Sequence, residues 1–461
     1  MSESSRSSGN QGSPADLSQT LAEFVVRTRW EDIPPAVRHQ ARRSLVNFFA
    51  AALAGCRDPA LLAAGRVFAR VAAGRDCTII GKPERTDMLH AASLNAMAGN
   101  VFDYDDTHLP TIIHPSAPVA PALFALAQTR RLSGQDLLQA FVLGVEIECR
   151  LGNAISPWHY QRGWHITATC GVFGAAAATA KALGLDALHT RWALGNAAAQ
   201  SSGLVETLGT AAKSIGIGNA AANGMLSALL AAEGFAGPQQ PLEGQRGFLR
   251  VMGDQPDFAA ITAGLGEHWV LRNNTYKPYP CGVVLNPVIE ACLALHAETG
   301  LAIEAIERIE ITGHSLLRER TDRPAPRSGR EAQFSARHAV AVSLMRGKAG
   351  LDEFSDACVA DLRLQALGER LAFSDDNSYS VESATVTLHL RGGAKRSRHI
   401  EAARGSLGRP LRDEDLTHKL VNLAAWGGSG CAPQPLIDAL WSLELAGNAG
   451  GVMPLASSTP R

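Results

Sequence analysis

Apolar residues recur at helical spacing over most of this chain. Within 16–27 they fall at Leu17, Leu21, Phe24 and Val25, with Trp30 after the turn, and Asp16 stands where it can cap the predicted helix. Pro34 and Pro35 introduce a second helix over about 36–54, with Val37, Ala41, Leu45, Phe48 and Phe49 on one face. The same period predicts helices over 59–73, 88–100, 133–153, about 190–203 and 220–233, with an Ala-rich run at 171–183. CTIIGKPERTD, from Cys77, predicts a turn. Glycines at 203, 209, 216 and 218 predict bends or close backbone packing. Low-bulk helices approach one another closely, so everything to about residue 265 predicts an all-helical core.

The period then changes. RIEITG from Arg308 and SVESATVTLHLRGG from Ser380 alternate with period two and predict strands, while 334–346 and segments within 351–370 predict helices. From Asp413 helical spacing returns in DEDLTHKLVNLAAW and again at 434–445. The predicted fold is mainly α. A helical domain is formed by both chain ends (15–268 and 409–455), with a smaller α+β lid domain inserted at 269–408, whose two crossings make a hinge and a cleft.

Composition narrows the function. Forty-three Lys and Arg against 44 Asp and Glu leave a net charge of −1, which gives no support for a nucleic-acid surface but leaves room for an anionic small substrate. The apolar runs are Ala-rich and interrupted by Gly, His or charge, and none needs a membrane. Eight cysteines without a CxxC pair, and no secretory signal pattern, predict reduced thiols in a cytoplasmic protein. The Ser/Gly-rich segment 1–14 is expected to be a flexible tail.

One strip concentrates the chemistry. AGNVFDYDDTHLPTIIHPSAPVA, at 98–120, sets Asp103, Asp105, Asp106, Thr107, His108 and His114 between apolar helices, with the next helix resuming near Pro118. Three carboxylates so close together cannot all share one buried point, so one or two should face a pocket. His165 lies in the Gly-bounded GWHITATCG, and Lys213 is the only charge in TLGTAAKSIGIG. Lys277, with Tyr276 and Tyr279 in NNTYKPYPCG, falls at the predicted crossing between domains, where it either meets a carboxylate or lies exposed beside packed aromatics. There is no nucleotide fingerprint and no nucleophile elbow, and the spacing of His108 and His114 matches no metal signature, so no nucleotide site is indicated and a metal is not expected.

In their order, FDYDDTHLPTIIHPS, GWHITATCG, GTAAKSIG, LEGQRGFL, YKPYPCG and AQFSARHAVA resemble the MmgE/PrpD family. The resemblance implies a helical domain with an inserted α+β lid, no cofactor, a homodimer and a small di- or tricarboxylate substrate. It carries Asp103, His114, His165 and Lys213 over as catalytic residues and Thr107 and Lys277 as substrate-binding ones, and Tyr276, beside Lys277 in the chain, is expected to bind substrate with it. His338 stands where many relatives have a tyrosine, and it is expected at the substrate. The commonest family activity makes a hydro-lyase of the 2-methylcitrate type the first expectation. Epimerisation of an iminodisuccinate-like acid is second and cis-aconitate-type decarboxylation third; a noncatalytic carboxylate-binding protein is the alternative outside enzymes. Asp105, Asp106 and His108 are expected to shape or cap the turn.

Overall fold

Small residues decide how closely the helices of this chain approach. The computed structural model describes residues 16–298 and 301–458, so the segment expected as a tail lies outside the described residues. Helices Pro35–Gly55, Met88–Asn100, Ser116–Thr129, Gly134–Ile155, Ile166–Leu183 and Ala212–Ala232 pack on one another. A Cβ on Gly144 would come within 2.6 Å of the Gly174 carbonyl oxygen, and one on Gly224 within 2.5 Å of the Ala175 Cβ and the Val172 oxygen. Backbone therefore touches backbone where the Ala-rich helices cross. Gly218 sits inside a helix against Ser93 and Met97, so there the glycine serves packing and not a bend.

Hydrophobic burial falls into two main clusters. One draws on Leu17 to Tyr276 and again on Leu411 to Ala456, with helix Asp413–Trp426 lying against Pro35–Gly55. The other runs from Cys281 to Leu388 and is built on a four-stranded sheet. In it, Ile306–Gly313 pairs in parallel with Leu371–Asp375 and antiparallel with Ala384–Leu390, which pairs in turn with Lys395–Ile400. Helices Asn286–His296 and Ala336–Arg346 pack together in the same cluster.

Several local expectations change. Asp16 makes no side-chain cap; its backbone is left-handed at φ 55°. The segment from Cys77 is a small hairpin, Cys77–Thr78 on Arg85–Thr86. Helix Ala212–Ala232 starts well before residue 220, which puts Lys213 in its first turn. Strand Lys395–Ile400 escapes period-two detection because it is charged and mostly exposed, although Gly392 and Gly393, both at positive φ, make the turn that returns it. Ile166–Leu183 and Ala212–Ala232 are long and apolar enough to cross a membrane by length and composition, which the interrupted pattern did not suggest. In the fold 83% of the first and 50% of the second is buried among other segments. All eight cysteines are unpaired.

Gly224→Ala tests the close approach of helices Ile166–Leu183 and Ala212–Ala232. Helix propensity alone favours alanine by about 1 kcal/mol, whereas overpacking costs ~1–3 kcal/mol. A net loss of stability is expected, seen as a lower midpoint in thermal or urea unfolding. An unchanged midpoint would mean that the helices part easily.

Candidate active site

The polar strip is shaped by its own backbone. Helix Met88–Asn100 ends within the strip's first three residues, and Asp103 takes a left-handed φ of 51°, which aspartate tolerates better than most residues. Ile112, at φ 57°, is β-branched and far less tolerant, a local strain of about 1–3 kcal/mol beside the cavity that its side chain lines. Between the two, Asp106–His108 forms an antiparallel ladder with Asn274–Tyr276, a pairing that spans the long sequence between them. The Thr275 hydroxyl donates to the Thr107 carbonyl at 2.9 Å. That ladder delivers Lys277, the next residue, to Asp103.

Asp103 is the meeting point. Lys213 Nζ donates to its Oδ1 at 2.5 Å, and Lys277 Nζ donates to its Oδ2 at 2.6 Å and to its carbonyl at 3.0 Å. All three side chains are buried. Burial pushes the Asp103 carboxyl up, but Lys213, Lys277 and His114 outweigh it and hold the group well below the usual carboxylate range. His114 Nδ1 faces two acceptors, the Asp106 carbonyl at 2.9 Å and Asp105 Oδ1 at 3.1 Å, so this nitrogen carries a proton. Its Nε2 is left 3.6 Å from Asp103 Oδ1.

His165 caps no helix with its ring. It precedes helix Ile166–Leu183, with its backbone N–H on the Gly203 carbonyl at 3.1 Å. Gly203 lies at φ 141°, where a Cβ would press on Ala168 at 2.7 Å. Burial, followed by the positive charges of Lys213 and His114, lowers the His165 pKa to about 3. At neutral pH the ring is therefore uncharged, with a lone pair free to take a proton.

These groups open onto one cavity of about 290 Å³, lined by Asp103, Thr107, His114, His165, Lys213 and Lys277. The size suits a small molecule. The lining also takes in Val283 and Val284 of the second cluster, Arg320, Arg323 and Phe334 from the same part of the chain, and Tyr160 and Gln161. Thr107 Oγ1 is 3.5 Å from His114 Nδ1, too long for a strong bond, so the hydroxyl is available to a ligand.

Two expected residues are elsewhere. Tyr276 points away, because neighbours in a strand alternate faces. Its phenol meets Ser44 at 2.9 Å and donates to the Gln40 carbonyl at 3.2 Å, on the far side of the ladder from Lys277. His338 is buried in the second cluster with Nε2 donating to the Glu353 carbonyl at 2.7 Å, and it does not line the cavity. Asp105 and Asp106 are buried beneath the cavity rather than in its wall. Asp105 accepts from Asn100 at 2.6 Å; Asp106 accepts from Ser116 at 2.5 Å and Asn274 at 2.6 Å. Burial, with the Asp105 charge, raises the Asp106 carboxyl to about 6 despite those bonds. His108 holds the turn through Thr111 at 2.7 Å, and burial lowers its pKa to about 4.

Lys419 is a buried cation that pattern reading passes over. Its ammonium donates to Asn47 Oδ1 at 2.8 Å, to the Tyr104 carbonyl at 2.7 Å and to the Lys277 carbonyl at 2.9 Å. Burial drives its pKa well below the usual lysine value. Asp103, Asp105 and His114 offer ligand atoms within 4.8 Å of one another and could in principle hold a cation. Both Asp103 oxygens already accept from ammonium groups, which a metal would have to displace.

The MmgE/PrpD N-terminal domain model matches residues 19–261, and the C-terminal domain model matches 279–443. The chain belongs to the MmgE/PrpD family. Among curated members, this MmgE/PrpD protein is 27% identical over 446 residues to the cis-aconitate decarboxylase of Homo sapiens, covering 93% of this chain and 92% of the relative. It is 28% identical over 360 residues to the enzyme of the same name from Mus musculus (74% and 73% covered) and 26% over 454 residues to that from Aspergillus terreus (91% of each).

Two outcomes follow from the charges. Asp103→Asn removes the carboxylate that two buried ammonium groups share, and a stability loss of about 3–5 kcal/mol is expected in urea unfolding; a loss under about 1 kcal/mol, the range of exposed pairs, would mean that the ion triplet is not buried in solution. For His165, the unfolded imidazole gains its proton below about 6.5 and the folded one only near 3. Its contribution to stability is therefore complete above pH 6.5 and is lost as the pH falls, by up to about 1.4 kcal/mol per unit. His165→Gln should accordingly lose less stability than the parent protein between pH 7 and 5, and an identical loss would place the His165 ring in water.

Proposed function

We propose that this MmgE/PrpD protein is a lyase acting on a small polycarboxylate through proton transfer by its own side chains. One observation carries the reading: two imidazoles in different electrostatic settings face the Asp103–Lys213–Lys277 triplet in a single cavity. Each ammonium has three N–H donors, and Asp103 engages only part of them. The remainder can bind a substrate carboxylate and stabilise charge that builds on its oxygens as an adjacent C–H or C–C bond breaks.

His165 is the base in this scheme. Burial and then the nearby cations make it a weak base, and a bound polycarboxylate, by bringing negative charge beside it, raises its proton affinity. Proton acceptance thus strengthens when there is a substrate to act on. His114 works through Nε2, since its Nδ1–H is held by Asp106 and Asp105. Thr107 donates to a substrate carboxylate.

Decarboxylation is the bond change favoured by the names of the curated relatives. A C–C bond breaks, carbon dioxide leaves, and the electron pair left on carbon takes the proton that His165 has accepted beside the bound substrate, which returns the ring to its neutral form. The hydro-lyase expected from sequence is the second reading, favoured by Tyr160, a hydroxyl on the cavity wall that can protonate a departing hydroxide. Epimerisation uses the same groups to break one C–H bond beside a carboxylate and re-form it from the opposite face.

Turnover of a panel of di- and tricarboxylates in deuterated water separates these. Gas release with deuterium in the product marks decarboxylation, loss of water without gas marks a hydro-lyase, and exchange with altered optical rotation alone marks an epimerase. Lys213→Ala and His165→Gln are each expected to lower kcat/KM by ~100-fold or more. Binding without turnover across the whole panel would leave a carboxylate-binding protein and end the enzymatic reading.

A further inference from the structure

The cavity holds two kinds of cation. Lys213 and Lys277 are both committed to Asp103 at the inner end. Arg320 and Arg323 line the same cavity from the second cluster, one in helix Ser315–Thr321 and the other just after it. Among the described residues neither guanidinium is in an ion pair, whereas their neighbour Arg318 pairs with Asp375 at 3.2 Å and Arg337 reaches Asp322 at 3.9 Å. Aromatic rings flank them instead. The Arg320 guanidinium carbon lies 6.0 Å from the Tyr160 ring centre and that of Arg323 lies 5.7 Å from the Phe334 ring centre. Ring faces of this kind orient a guanidinium without neutralising it.

Charge along the cavity is therefore uneven. Asp103 offsets much of the lysine charge, and Glu319, which is exposed, is the other carboxylate among the described lining residues. The outer end keeps two forked donors whose geometry matches carboxylates bidentately. The Tyr160 phenol lies within electrostatic range of Asp103, Arg320 and Arg323, which ties the inner and outer groups to one continuous space.

We infer that Arg320 and Arg323 form the outer carboxylate subsite, the part of the cavity that selects substrates by how many carboxylates they carry and how far these lie from the reacting carbon. The inference rests on the polycarboxylate reading above and deepens it. The reacting carboxylate sits at Lys213 and Lys277; a remote one spans the cavity to the arginines. A monocarboxylate uses the inner end alone, so it gains nothing from the arginines. Substrate bound in this way is held by both hydrophobic clusters at once.

Calorimetric titration of the full chain with propionate, succinate and propane-1,2,3-tricarboxylate, none of which needs to react, tests this. The parent protein should bind more tightly as carboxylates are added. In the Arg320→Met, Arg323→Met double variant the preference for the tricarboxylate over propionate should fall by roughly tenfold or more, with propionate affinity little changed. Both side chains are at least partly exposed, so an unfolding midpoint equal to that of the parent is expected as a control. A preference that survives in the double variant overturns the arginine subsite and leaves the polycarboxylate reading standing. Equal losses for propionate and tricarboxylate also overturn it, since the arginines would then act on the whole cavity. A parent protein that binds none of the three acids removes the polycarboxylate reading itself, and the subsite with it.

Discussion

A single buried carboxylate shared by two buried ammonium groups is the constraint on which this structure turns. Asp103, Lys213 and Lys277 come from separate stretches of chain, and none of them is tolerable in the interior without the others. Removing charges from water is costly, and the cost is offset only when all partners arrive in register. The close-packed helices place Lys213, the Asp106–His108 and Asn274–Tyr276 ladder places Lys277, and the strip between Asn100 and Ser116 places Asp103. Lys419, from a helix near the other end of the chain, then fixes the carbonyls of Tyr104 and Lys277 from behind. Stability and reactivity share these atoms.

The two histidines show how one electrostatic centre makes two environments. His114 stands against carboxylates and a carbonyl, with the tautomer of one ring nitrogen set by its neighbours. His165 faces cations in a buried position and is held neutral. The same side chain thus meets acceptors in one place and cations in the other, within a single cavity.

Much of this was legible in the chain and some was not, for physical reasons. Met88–Asn100 falls where its apolar spacing predicts, because its Ala-rich surface is buried over most of its length. Lys213 stood out as a lone charge among small residues, and it is buried. Lys419 did not, since in DEDLTHKLVNLAAW a lysine has charged company and only the packing partner decides which face is inside. Arg320 and Arg323, in RERTDRP, resemble a solvated charge run until the rest of the cavity lining is in place. Tyr276 was assigned to the cavity by nearness to Lys277 along the chain, but extended backbone turns neighbours to opposite sides. His338 carries a chemically suggestive side chain, yet its helix directs it to the Glu353 carbonyl.

The ladder between Asp106–His108 and Asn274–Tyr276 has a further consequence for how this protein can change. Because strand side chains alternate, one residue inserted or deleted between Asn274 and Lys277 would exchange the places of a phenol and an ammonium and leave Asp103 facing an aromatic ring. Substitutions can be absorbed one at a time around such a site, and exposed turns such as Gly392–Gly393 can be lengthened at little cost. The stretch that feeds Lys277 to Asp103 can vary in composition but not in length.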